Sequence, residues 1–285
     1  MMKFDLSWDA IEARRDKIHR RLPSLALRTK RQTLSFIERV GFCFLYGAEN
    51  SNLPSVLNAA CGSRRAKISK RNEHDPQLSL MSELRRVLPS GREVFYGKVI
   101  QGRPSIVSLH LLPCFLALAH RLGTKEEYLS EFANGRLTYL AKLIMEALGE
   151  SSPQETRGLR LDVVGSSRSL AASFEKAMHE LQTKMFIVNI ADDYDPAAFQ
   201  WAPLHKWFPK EIRKARRTSV DEARQEILGK YFDVQYVSTV RDVQRALGWK
   251  RQPIFQTLGR LTEQGKVTPR VKVDNSDGEF YACTG

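Results

Sequence analysis

The side chains best equipped for chemistry in this sequence are cations. Lys and Arg total 45 against 32 Asp and Glu, a formal excess of +13 in 285 residues. Such an excess favours polyanionic partners, because each phosphate neutralised by a cation releases condensed counterions. Nucleic acid is the first class to consider, with ribosomal surfaces and anionic lipid behind it. The cations gather in three stretches, Arg14 to Arg31, Arg64 to Arg71, and Lys206 to Arg217. On a helix opening near Pro209, Lys210, Arg213, Lys214 and Arg217 stand at i, i+3, i+4 and i+7. That spacing is one helix face, which presents its row either to a phosphate backbone or to plain solvent. Lys206, Arg64 and Arg65 belong to the same candidate phosphate contacts.

A second group has the chemistry of base recognition. Trp249-Lys250-Arg251-Gln252 is followed by Gln256 and Arg260. Arg and Gln are the side chains whose paired donors and acceptors match guanine and adenine edges. Trp249 is read as core. Phe95 and Tyr96 beside Lys98 are either an aromatic-basic contact for an exposed base or a strand with one face buried.

Other chemistries find no support. The histidines (19, 74, 110, 120, 179 and 205) show no HExxH spacing, and Cys43, Cys61, Cys114 and Cys283 show no CxxC pair. The cysteines are read as buried, inert thiols, and His205, beside Trp207 and Pro209, as a satisfied interfacial histidine rather than one facing a channel. There is no GxGxxG, Walker-type loop or nucleophile elbow, so neither metal nor cofactor is expected. The longest apolar run, Ile106 to Ala119, is interrupted by His110 and Pro113 and falls short of a membrane span. Asp5, Asp9 and Glu12 occupy the place of a signal peptide's apolar segment, so a cytoplasmic protein with no membrane partner is expected.

The elements that must carry these residues follow from periodicity and punctuation. Asp221 to Phe232 has apolar residues at helical spacing. Ser238 or Thr239 caps a short helix from Val240 to Leu247, which Gly248 ends. A third helix spans about Pro253 to Gln264, with Ile254, Leu258 and Leu261 inward and Gly265 as its stop. Val267 to Val273, a turn at Asp274 to Gly278, and Glu279 to Ala282 read as a β-hairpin. Three helices and a hairpin make a winged helix whose third helix is the candidate for the major groove.

The same order recurs about eighty residues earlier. Leu137 to Leu148, Thr156 to Val164 with Gly165, and Ser173 to Lys184 supply three helices. Phe186 to Ile190, a turn over Asp192 to Pro196, and Phe199 to Trp201 supply the hairpin. A weaker third copy is expected from helices at Thr29 to Val40 and Pro54 to Cys61, with strands in Val94 to Leu111 around Gln101-Gly102-Arg103-Pro104. Two hairpin tips are acidic, Asp192-Asp193-Tyr194-Asp195 and Asp274, Asp277 with Glu279, so these tips should point away from phosphate.

With these residues assembled, the stretch Glu222 to Tyr231, the helix capped at Thr239 and the turn Leu247-Gly248-Trp249 resemble the C-terminal module of a winged-helix family. That family contains the bacterial DNA glycosylases of the AlkZ and YcaQ type, which unhook interstrand crosslinks. Gly41-Phe42-Cys43-Phe44-Leu45 resembles its active-site strand, and Phe95-Tyr96-Gly97-Lys98 with Leu111-Leu112-Pro113 a second β-segment; the resemblance covers residues 30–284. It implies tandem winged helices around a basic DNA channel. It also implies a Gln-x-Gln or Gln-x-Asp motif that positions water against the sugar of a cationic, departing base. This sequence departs from that motif. Phe42 to Tyr46 holds no Gln, Asp or Glu, Gln32 lies upstream, and Glu38 and Glu49 are the nearest carboxylates and hence the catalytic candidates.

The expected protein is therefore α+β and helix-rich, built of tandem winged-helix units in regions 1–130, 131–205 and 206–285. Its expected partner is double-stranded DNA, bound as a monomer, since no dimerisation coiled coil is present. Two functions stand open: a glycosylase-like repair protein, or a sequence-specific regulator or architectural DNA-binding protein.

Overall fold

The computed structural model describes residues 5–48, 51–66, 76–124, 126–191 and 199–284. The chain forms two compact units, one of Met1–Met81 with Val220–Gly285 and one of Ser82–Ser219. It is a helix-rich α+β fold whose sheets are small and mainly antiparallel.

The first unit opens with β1 (Asp5–Leu6) and α1 (Trp8–Ile18), which Ser7 caps by accepting from the Ala10 N–H. After a 3-10 turn (Pro23–Leu25) comes α2 (Lys30–Val40). Thr29 Oγ1 caps α2 from the Gln32 N–H while Gln32 Oε1 accepts from the Arg28 N–H, so Gln32 is a helix-capping residue. β2 (Phe42–Phe44) and α3 (Val56–Cys61) follow. At the end of α3, Gly62 has φ +58, and a Cβ there would lie 2.7 Å from the Leu22 carbonyl oxygen.

The C-terminal part of this unit holds α12 (Val220–Gln235), β8 (Val237–Thr239), α13 (Val240–Leu247), α14 (Arg251–Glu263), β9 (Val267–Val273) and β10 (Phe280–Cys283). Thr239 and Asp242 form a reciprocal capping box on α13, and Gly248 ends that helix in the left-handed conformation that glycine adopts without strain. Ala223, Ile227, Leu228 and Phe232 of α12 and Ile254, Leu258 and Leu261 of α14 are buried. β10 lies between β8 and β9, and β1 extends the sheet by pairing parallel to β9. This is the expected winged helix with one strand, β8, that is too short to show a period in the sequence.

The division between units falls inside α4 (Pro76–Ser90). The second unit continues with the hairpin β3 (Val94–Ile100) and β4 (Arg103–Ser108), paired Phe95 to Val107 and Tyr96 to Ile106. Gln101 and Gly102 both have positive φ, as a two-residue hairpin turn requires. Then come α5 (Leu112–Leu118), α6 (Glu127–Ala133), α7 (Tyr139–Glu150), β5 (Gln154–Glu155), α8 (Thr156–Val164) and α9 (Ala171–Thr183). β6 (Ile187–Ala191), β7 (Gln200–Pro203), α10 (Leu204–Trp207) and α11 (Pro209–Ala215) complete it.

From α7 to β7 the order of elements and the strand order β5-β7-β6 repeat those of α12 to β10 and β8-β10-β9. The core of this copy joins Ile144 and Leu148 of α7, Leu159 of α8, Phe174, Met178 and Leu181 of α9, and Trp201. Thr156 does not cap its helix as Thr239 does. Its hydroxyl donates to the Phe199 carbonyl and accepts from Trp201 Nε1 at 2.8 Å, tying the helix start to the returning strand. The turn expected at 192–196 and the acidic tip at 192–195 lie outside the described residues. In chain order, α2, β2, α3, α4, β3 and β4 give the same succession a third time.

Candidate nucleic-acid interface

The outward face of α14 assembles as the sequence suggests. Ile254, Thr257, Leu258 and Leu261 hold the helix to its unit, which leaves Arg251, Gln252, Phe255, Gln256 and Arg260 exposed. Arg251 stacks over the Phe255 ring at 5.1 Å. Phe255 is 37% exposed, an apolar group among polar ones that the alternation of charges hid from the sequence reading. Arg260 is engaged by Asp221 at 2.8 Å, so its charge is already balanced. Lys250, the residue before α14, is exposed, while Trp249 is half-buried. The tip between β9 and β10 exposes Asp274, Asp277 and Glu279, and Ser276 Oγ accepts from Trp8 Nε1 at 2.6 Å.

In the second unit, α11 packs on α5 through Ile212 and Ala215. Lys210, Arg213 and Lys214 point outward, and Arg217 is exposed one residue beyond the helix cap Arg216. None of the four has an ion-pair partner among the described residues. Lys206 differs. Its Nζ donates to the Gly149 carbonyl at 3.1 Å and lies 3.4 Å from that of Leu148, balancing the negative end of α7. Lys98 is half-buried on β3, and Phe95 is fully buried against Phe208 with ring centroids 6.2 Å apart, so Phe95 offers no face to a base.

The expected active-site strand exposes no polar group. Phe42, Cys43, Phe44 and Leu45 are buried, and burial pushes the Cys43 thiol pKa up. β2 is fixed by the Phe44 N–H donating to the Pro54 carbonyl and the Leu57 N–H donating to that of Leu45. Glu38 sits on the exposed face of α2, next to Arg39, which pairs with Asp233. Glu49 lies outside the described residues, as do positions 67–71 of the second basic stretch.

One charged assembly was missed by the sequence reading. Glu12, Arg15, Asp16 and His19 stand at i, i+3, i+4 and i+7 on α1 and the residue that caps it. The signal was present in the same spacing that marks Lys210 to Arg217, but it was hidden inside a stretch read only as basic. Arg15 is 3% exposed; its Nε and Nη2 donate to the carbonyls of Gln235 and Val237 at 2.9 and 2.7 Å, and Nη1 pairs with Glu12 at 2.8 Å. Arg64 grips Asp16 with Nε and Nη2 at 2.9 and 2.5 Å, so the predicted phosphate contact is committed to a carboxylate. Arg21 also reaches both carboxylates, at 3.1 Å from Glu12 and 3.0 Å from Asp16, the latter without hydrogen-bond alignment. Arg65 is exposed and unpaired among the described residues. His19 is fully buried, and burial, then Arg21 and Arg15, hold its pKa well below 6.5, with the Val234 carbonyl pulling the other way.

Among the described residues no cluster of His, Cys, Asp and Glu could hold a metal ion, and no helix is long and apolar enough to cross a membrane.

A model of the AlkZ-related family matches residues 27–248. Among solved structures, the DNA glycosylase AlkZ of Streptomyces sahachiroi matches with a TM-score of 0.59 at 14% identity, covering 99% of this chain and 71% of that one. At that identity the likeness is one of fold. No curated protein sequence matches the chain.

Proposed function

The chain belongs to the AlkZ-related family, and from that premise we propose that it is a DNA-repair protein that binds duplex DNA carrying alkylated or crosslinked bases. The observation that carries this reading is the outer face of α14. A helix in the third position of a winged helix presents Arg251, Gln252 and Gln256 together, opposite a fully buried stripe. Those groups match base edges, and the unpaired cations of α11 match phosphate. The solved AlkZ structure of similar fold is named as a DNA glycosylase, which supports a damaged duplex as the substrate class. A single chain suffices, since its winged-helix copies are already fused, and the cytoplasm is the proposed location. The regions 1–130, 131–205 and 206–285 remain our parse of those copies.

We assign no catalytic group to β2, because water cannot be positioned by Phe42, Cys43, Phe44 and Leu45 in a sealed core. Glycosidic cleavage would then rest on a carboxylate near it, with Glu38 the described candidate. Incubating the chain with a duplex containing 7-methylguanine and measuring free base tests this. The proposal expects retention of the duplex with no base release above the uncatalysed rate. Release that disappears in Glu38→Gln would make the chain a glycosylase.

A second reading, a sequence-specific regulator, draws on the same α14 face. Selection of bound duplexes from a random pool separates the two, since a regulator enriches one sequence and a repair protein does not.

A further inference from the structure

The outer face of α14 holds a residue that the fold does not ask for. Gly259 is exposed and lies in the interior of the helix, where glycine is less favourable than any residue except proline. Its φ is not in the left-handed region, and a Cβ there would have no neighbour within 4 Å. Gly229 of α12 is the contrasting case: a Cβ on it would meet Leu261 at 3.9 Å, so it faces its own unit. No described residue uses the space that Gly259 leaves open. What remains for it is the close approach of a partner.

The neighbours of Gly259 say which partner. It stands three, four and seven residues after Gln256, Phe255 and Gln252, so all four share one strip of the helix surface. Lys250 and Arg251 are exposed where that strip begins, and Glu263, the one carboxylate of α14, lies a turn beyond Gly259 where it ends. Cations and amides lead, as a polyanion with hydrogen-bonding edges requires. Phe255 is the apolar member. The Arg251 guanidinium lies 5.1 Å from the centre of its ring and steadies it, and the side chain remains 37% exposed. In a major groove the apolar group that such a ring can meet is the C5-methyl of thymine.

We infer that Gly259 marks the point where duplex DNA comes closest to α14, with Phe255 against a thymine methyl. The inference rests on the reading of α14 as the DNA-binding helix, and adds to it a place of contact and a base. A methyl group on residue 259 would fill the space the duplex takes, so fold and binding favour different residues at this position.

Two duplexes that differ only in carrying thymidine or deoxyuridine test it, by fluorescence anisotropy with the full chain. The unmodified chain should bind the thymidine duplex about fourfold more tightly for each methyl that Phe255 covers. Phe255→Ala should bind the two alike, and Phe255→Leu should keep most of the preference. Gly259→Ala should raise the melting temperature by about 2–4 °C, because alanine favours the helix. It should nonetheless weaken both duplexes by at least about fivefold, the low end of what an added methyl costs in a packed contact. A structural role alone would not give that opposition, since a variant that only steadies the helix leaves affinity unchanged or improves it. Equal affinity of the unmodified chain for the two duplexes, or undiminished affinity in Gly259→Ala, overturns the inference and leaves the DNA reading of α14 standing. Binding to neither duplex overturns both.

Discussion

Replacing Lys210, Arg213, Lys214 and Arg217 together with Ala removes three exposed cations from a helix held by Ile212 and Ala215, which stay in place, and a fourth just beyond its cap. Alanine has the strongest intrinsic helix preference, so the fold should survive. None of the four is tied to a carboxylate among the described residues, and each is available to neutralise one phosphate. Counterion release then sets the magnitude at about 0.9 in the slope of log affinity against log salt per contact, or about 3.6 for all four. Between 50 and 200 mM salt the unmodified chain should accordingly lose about 150-fold more affinity than the variant. Fluorescence anisotropy with a labelled duplex at five or more salt concentrations reads both slopes. The loss should be the same for unrelated duplex sequences, because phosphate contacts carry no sequence information. A slope unchanged within about 0.5 would refute the assignment of α11 to the backbone.

Other consequences concern stability. Thr239→Ala removes the reciprocal cap of α13 and should cost about 1 kcal/mol in denaturant unfolding, with no loss expected if the cap is ornamental. Arg15→Met removes the side-chain donor of the buried Gln235 and Val237 carbonyls, while Glu12 keeps Arg21, and should cost about 1–3 kcal/mol for each carbonyl left unmet; a change under about 1 kcal/mol in all would contradict the network. Gly62→Ala places a methyl against the Leu22 carbonyl at a positive φ and should destabilise by about 1–3 kcal/mol, measured by thermal melting. His19 has a folded pKa below its unfolded value of 6.5, so the unfolded chain takes up the proton first as pH falls. Its contribution to stability is present above pH 6.5 and is lost as pH drops below that value. His19→Phe should flatten the fall in stability between pH 7 and 5, and an identical fall in both proteins would exclude His19 as its source.

Much of the C-terminal winged helix was legible because its signals are local. Thr239, Gly248 and Gly265 punctuate helices whose buried stripes repeat at 3.6 residues, and the boundaries of α13 and β9, like those of α8 in the earlier copy, match the expectation. Strands β1, β5 and β8, of two or three residues, carry no period and became visible only through their partners. The candidate interface was legible where it depends on one helix, as on α14 and α11. It was not legible where it depends on tertiary pairing. Arg64 and Lys206 read as phosphate contacts, yet Asp16 lies 48 positions before the one and Gly149 57 before the other. Arg15 has acceptors more than two hundred positions away, and nothing in the local pattern distinguishes it from its exposed neighbour Lys17.

The central claim, that this chain binds damaged duplex DNA, is tested most directly with two matched duplexes, one intact and one carrying an abasic-site analogue. Anisotropy titrations of both across several salt concentrations should show salt-dependent binding to each and tighter binding to the damaged duplex. Equal affinity for the two would contradict the repair reading and favour a regulator, and binding to neither would contradict the DNA assignment itself.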